Sequence, residues 1–149
     1  MAQHVKIAAA QASPVFLNKK STIEKVCEWI GQASSEKAKL VVFPEVFVPG
    51  YPDWTWVVPN YRGDILNDLY AKLLENAVSV GYGDLEPICK AAKAGKIWVV
   101  VGVHERNTEA SDKSIYNAVI LIDDAGAIRN IHRKLIPTGG ERLIWGNGD

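Results

Sequence analysis

Short runs of β-branched and aliphatic residues alternate along this chain with longer stretches whose apolar residues recur every three or four positions. That alternation leaves few architectures open. Residues 5–10 (VKIAAA), 39–43 (KLVVF), 97–103 (IWVVVGV) and 115–122 (IYNAVILI) read as strands. Ser21 and Glu24 form an S-x-x-E capping box, with Ile23, Val26, Cys27 and Ile30 following at helical spacing. Asp64 is expected to cap a second helix carrying Leu66, Leu69, Tyr70, Leu73 and Ala77 on one face. Asp84 is expected to cap a third, with Leu85, Ile88, Cys89 and Ala92 inward and Gly95 just past its end. Asp123-Asp124-Ala125-Gly126 reads as a hairpin turn and 127–133 as the returning strand. The order predicts an α/β domain with a mostly buried sheet. No repeat or linker divides residues 1–149, which read as a single domain.

Composition then removes several classes of partner. Seventeen Lys and Arg balance seventeen Asp and Glu, so the basic excess of a strong nucleic-acid or membrane-surface binder is absent. The longest apolar runs are too short to cross a bilayer, and residues 1–14 lack the charged-then-apolar pattern of a secretory signal. Cys27 and Cys89 provide neither metal-ligand spacing nor a disulfide framework. A cytoplasmic protein without metal or cofactor is expected. The last residues, 143–149 (LIWGNGD), are apolar and then loop-like with no closing element, so the domain is expected to be incomplete at its C-terminus.

Two stretches could carry chemistry. Glu45 follows a strand end and sits in FPEVFVPGYP (43–52), where prolines and aromatics stiffen the backbone. A fixed carboxylate among apolar neighbours is what a general base needs. Lys134 follows the last strand and Glu141 lies seven residues later, across a Pro-Thr-Gly-Gly loop. A lysine held by carboxylates stays charged and can act as an electrophilic helper. His132 alternates with Lys134, so the two share a face. Taken singly, each of these is most often a solvated or structural residue.

Other features carry less. Cys27 and Cys89 fall on apolar helix stripes and read as small hydrophobes. His104-Glu105-Arg106 reads as a polar loop entry, and Gly81-Tyr82-Gly83 is too short for a phosphate loop. Trp54 and Trp56 read as interface or pocket wall, within a segment (44–61) too long to be a simple connection.

Taken together and in order, the Ala-Gln-Ala-Ser-Pro after the first strand, FPEVFVPGYP, WVVVGVHER, YNAVILID and HRKLIPTGGERLIWGNGD resemble the nitrilase branch of the carbon–nitrogen hydrolase superfamily. The resemblance implies the N-terminal part of an α-β-β-α sandwich with a Glu-Lys-Glu-Cys site. Carried over residue by residue, Glu45 is the general base, Lys134 the electrophilic stabiliser and Glu141 the second carboxylate. Tyr51 and His132 are assigned to the substrate pocket. The family's nucleophilic cysteine lies beyond the Lys-Glu block, and neither Cys27 nor Cys89 matches its motif. The implied activity is hydrolysis of organic nitriles to carboxylic acids and ammonia. Cyanide hydration or amide hydrolysis by the same constellation is an alternative, and a non-catalytic truncated interaction module is another. The partners implied are a small nitrile, a homodimer or spiral oligomer, or the missing C-terminal half. The 149 residues alone are expected to be inactive, because the covalent route needs a thiol.

Overall fold

The computed structural model describes residues 4–108 and 111–149. Among them, five strands form one sheet in the order β1 (Ile7–Ala9), β2 (Leu40–Val42), β3 (Trp98–Arg106), β4 (Ile115–Ile122) and β5 (Ile128–Arg133). The first three are parallel, and β4 and β5 return antiparallel. A parallel neighbour requires a crossover, and α1 (Lys19–Ser35) supplies it between β1 and β2. The crossover from β2 to β3 is longer and contains α2 (Trp54–Val57), α3 (Gly63–Glu75) and α4 (Glu86–Gly95).

Side-chain alternation divides the sheet into two unlike faces. Val41, Val99, Val101, Ile120 and Ile122 meet Val26 and Ile30 of α1 and Ile88 and Ala92 of α4 in the main core. Each of these buried valines and isoleucines contributes about 1.5–3 kcal/mol. The two helices lie side by side in the same direction. Ser34 Oγ donates to the Gly95 carbonyl at one end, and Lys19 Nζ meets Asp84 at the other. The opposite face presents Leu40, Trp98, Val100, Val119 and Leu121, and here Trp98 and Val119 are exposed. One helix layer and one sheet are present, two of the four layers expected. A second cluster (Val46, Trp54, Leu73, Ala77, Ile115, Ile144 and Trp145) closes the end of the sheet. Among the described residues no helix is long and apolar enough to cross a membrane.

α1, α3 and α4 stand where the periodicity places them, whereas α2 lies in segment 44–61, where no period pointed to a helix; the caps of the three expected helices differ. Asn18 caps α1 by accepting from the Ser21 N–H, so Ser21 lies inside the helix. Asparagine is at least as good a cap as serine, and it lies three residues earlier. Asp64 lies in the first turn of α3, where it is gripped by the Arg62 guanidinium. Asp84 is drawn off by Lys19 Nζ (2.6 Å) and the Ser79 N–H (2.8 Å), leaving Leu85 to precede α4. Gly95 is the last helical residue, and Lys96 takes the left-handed position. Glycine at 95 instead admits Ser34, which a Cβ would meet at 3.0 Å.

Candidate active site

The chain past β2 is built into the sheet's end. The Phe43 N–H still donates to Val100 (2.8 Å), and Pro44 then ends the strand. The next turn carries Glu45 and puts Val46 at φ +40°, a left-handed conformation rare for a β-branched residue. It persists because its surroundings fix it. Val46, Phe47 and Val48 are buried, and Val48 exchanges backbone hydrogen bonds with Gly102 and His104 of β3. This part of segment 44–61 is therefore core. Glu45 emerges from it with its side chain half exposed, not enclosed by apolar neighbours.

Lys134 follows β5. Its N–H donates to the Asn117 carbonyl of β4 at 2.8 Å. Beside it the Arg133 guanidinium makes two 2.8 Å hydrogen bonds to Glu105 and lies over the Tyr116 ring. Glu141 stands in a 3-10 helix, Gly139–Leu143, opened by a capping box between Thr138 and Glu141. The Thr138 N–H donates to Glu141 Oε2 at 2.7 Å.

These elements converge. Lys134 Nζ lies 3.0 Å from Glu45 Oε1, 3.0 Å from Glu141 Oε1 and 2.9 Å from Glu141 Oε2. Its ammonium thus meets two carboxylates remote from one another in sequence, donating to the Oε1 of each. Tyr51 Oη donates to Glu141 Oε1 at 2.8 Å. Partial burial works against the Lys134 ammonium, but Glu141 and Glu45 outweigh it and hold its pKa above the ordinary lysine value. Burial opposes the Glu141 carboxylate too. The Thr138 N–H, Lys134 and Tyr51 overcome it, so Glu141 stays ionised below its usual range. For Tyr51, burial and then the bond to Glu141 push the phenol up.

The two carboxylates are not equivalent. Glu141 has a side chain 6% exposed, and both its oxygens are engaged. Glu45 is 49% exposed; its Oε1 accepts from Lys134 and Asn117, and Oε2 has no partner among the described residues. Glu45 can exchange a proton with an incoming group, whereas Glu141 is a fixed anion.

Three contributors are not among the residues given a role in the site from the sequence: Asn117, His104 and Trp145. Asn117 Nδ2 donates to Glu45 Oε1 at 2.6 Å. His104 is fully buried inside β3 rather than at a loop entry. Its Nε2 lies 2.9 Å from the Gly50 carbonyl, and its Nδ1 lies 3.0 Å from Trp145 Nε1. An indole only donates and a carbonyl only accepts, so the imidazole is neutral with its proton on Nε2. It joins the loop of Glu45 and Tyr51 to the segment of Glu141. Trp145 also meets Tyr51 edge-on, with ring centroids 5.8 Å apart. His132 shares the face of Asn117 and Lys134, as alternation implied, and stands exposed opposite Val119. Cys27 and Cys89 pack against the helix-covered core. Burial raises both thiol pKa values, helped by Glu24 and Glu28 for Cys27 and by Asp123 and Glu86 for Cys89.

Burial depresses the His104 pKa to about 4, although the Gly50 bond opposes the shift. The unfolded chain, with imidazole near pKa ~6.5, binds more protons between those values, so stability rises with pH there. The contribution is fully present above pH ~6.5 and falls away as pH drops towards 4, by about 2–3 kcal/mol at pH ~4.5. His104→Gln keeps a donor for Gly50 and an acceptor for Trp145 without titrating. Urea unfolding at pH ~7.5 and ~4.5 is expected to show a smaller acid loss in this variant; equal losses would contradict the assignment.

The sequence model of the family described as carbon-nitrogen hydrolase matches residues 6–149. Among curated relatives, an arylacetonitrilase of Aspergillus oryzae is 34% identical over 143 residues, 96% of this chain and 40% of that protein. A cyanide hydratase of Penicillium rubens is 36% identical over 143 residues, 96% of this chain and 38% of its own length. The solved structure of an amidase from a Nesterenkonia species superposes with a TM-score of 0.66 at 17% identity, over 98% of this chain and 49% of that one. The chain thus spans 40% or less of these two curated relatives.

Proposed function

The chain belongs to the carbon–nitrogen hydrolase family, and on that premise we propose that Glu45, Lys134 and Glu141 form the acid–base and electrostatic part of a nitrilase site. The observation that carries this reading is the single lysine shared by one saturated and one half-free carboxylate. The thiol is taken to come from polypeptide additional to residues 1–149, because Cys27 and Cys89 face the helix-covered core. The open apolar sheet face is where such polypeptide, continuous with the chain or from a second copy, would pack.

The proposed chemistry uses these groups as follows. Glu45 Oε2 takes the thiol proton as sulfur adds to the nitrile carbon. The nitrogen takes that proton from Glu45 as the thioimidate forms, which returns Glu45 to its basic form, and Lys134 stabilises the charge developing there. For this, Lys134 turns one N–H from a carboxylate to the substrate, while the others hold it on Glu141. Glu45 then activates water, whose addition gives a tetrahedral adduct. Loss of ammonia leaves a thioester, and a second water releases the carboxylic acid and the thiol. If the C–S bond breaks first, the product is an amide, as for a cyanide hydratase. A nitrile is the substrate class proposed, with arylaceto- and aliphatic nitriles both to be tried.

The test is ammonia release with product analysis. The 149 residues alone are expected to give no turnover; together with the polypeptide that supplies the thiol they are expected to give acid and ammonia. Amide as the main product would favour the hydratase reading. Turnover by the 149 residues alone, surviving Cys27→Ser with Cys89→Ser, would overturn the thiol route. A folded, complete enzyme inert on every nitrile would overturn the nitrilase reading.

A further inference from the structure

We propose that Asn117 is a positioning residue that decides which oxygen of Glu45 acts as the base. This rests on the reading of Glu45 as a proton acceptor and adds a residue that the motif comparison did not assign.

Asn117 interrupts the otherwise apolar IYNAVILI strand, where asparagine is disfavoured. It is 4% exposed, and a buried amide is costly unless paired. Its partner is Glu45 Oε1, at 2.6 Å. An ionised carboxylate can only accept, so the amide must present its NH2 group. The same oxygen receives Lys134 Nζ at 3.0 Å. Two donors thus occupy Oε1, and Oε2 is left as the basic atom. A carboxylate held only by the flexible lysine could exchange its oxygens by rotation. The second donor comes from a β-strand whose backbone is paired on both sides, and it opposes that rotation.

Asn117 also holds the other partner. Its carbonyl accepts from the Lys134 N–H at 2.8 Å. One residue of β4 therefore fixes the side chain of the base and the backbone of the lysine together. It sets their separation without touching the outer, exposed side of Glu45. Loss of the amide is accordingly expected to lower kcat and leave KM nearly unchanged.

The experiment compares Asn117→Asp, Asn117→Ala and the unsubstituted enzyme, the complete protein carrying this chain. Two readouts are taken: kcat and KM against pH, and the titration of Glu45 by NMR with 13C-labelled glutamate carboxyls, assigned with Glu45→Gln. Asn117→Asp replaces a donor by a second carboxylate, so the Glu45 titration is expected to move up by about 1–2 units, with the acid limb of kcat following. Asn117→Ala is expected to lower kcat about 10- to 100-fold at an unchanged KM, and to move the Glu45 titration up by less. Should Asn117→Asp fail to fold, Asn117→Ala alone carries the test. An unchanged Glu45 titration and kcat in a folded variant would overturn the proposal. A shifted titration in a protein without nitrile turnover would retain the contact and overturn only the nitrilase reading.

Discussion

Lys134→Met is expected to lower kcat/KM for nitrile hydrolysis by about 10³-fold, and to move the remaining activity to higher pH. Two losses combine. The first is the cation aimed at the developing negative charge, an effect commonly worth about 10²–10³. The second is less direct. Glu45 Oε1 and Glu141 Oε1 each lie 3.0 Å from the same nitrogen. Without the ammonium, two carboxylates face each other with no cation between them, and one will hold a proton. Glu141 keeps two donors, Tyr51 Oη and the Thr138 N–H, against one for Glu45, Asn117 Nδ2, so the proton favours Glu45. The base is then blocked near neutrality. Because the two losses share one residue they do not multiply, which is why the expectation stops at about 10³. Lys134→Arg separates them: it restores the charge but not the compact three-way donor geometry. It is expected to return the pH profile towards normal while kcat stays low. A Met variant within tenfold of the unsubstituted enzyme, with an unmoved pH profile, would show that Lys134 is an ordinary surface residue.

Lys134 works through side chains far apart in sequence, at the limit of what sequence patterns reach. The strands Ile115–Ile122 and Trp98–Arg106 were legible because apolar, β-branched runs bounded by turn residues have few other uses. The inward faces of α1 and α4 were legible from spacing alone. Caps were not, because capping residues compete. The S-x-x-E at 21–24 lost to Asn18, while the T-x-x-E at 138–141 forms the capping box and supplies Glu141. The same short pattern was a false sign in one place and the site itself in another. Glu45, Lys134 and Glu141 were found through resemblance as well as chemistry; their 3.0 Å spacings belong to the tertiary fold. Asn117 had left a signal, a lone amide in an apolar strand. His104 had left none, because a histidine after a strand end looks the same in solvent as inside a core. Its role follows from Gly50 and Trp145, which only the fold brings to it.

Gly102→Ala tests that tertiary arrangement most directly. It is expected to reduce stability by about 3 kcal/mol or more and activity at least about 100-fold. Gly102 lies in the middle of β3, where glycine is normally unfavourable. Its reason is the Glu45 turn. A Cβ at 102 would lie 2.4 Å from the Pro44 carbonyl oxygen, 2.5 Å from the Val46 nitrogen and 2.9 Å from the Glu45 carbonyl carbon. All three are backbone atoms, so no rotamer change relieves the contact. The turn cannot easily retreat, since Val48 is hydrogen-bonded to Gly102 and His104, and Val46 to Val48 are buried. The strain must therefore displace either β3 or the very peptide that carries the base. A displacement of about 1 Å at a reacting group can cost about 10²-fold in rate. Gly31→Ala provides the contrast. Gly31 lies within α1 with nothing within 4 Å of its notional Cβ, so alanine there is expected to stabilise by about 0.5–1 kcal/mol and leave turnover alone. Urea unfolding and kcat/KM on both variants decide the matter. If Gly102→Ala folds as stably as Gly31→Ala and turns over nitrile equally well, the close approach of β3 to the Glu45 turn is not what holds the base in place.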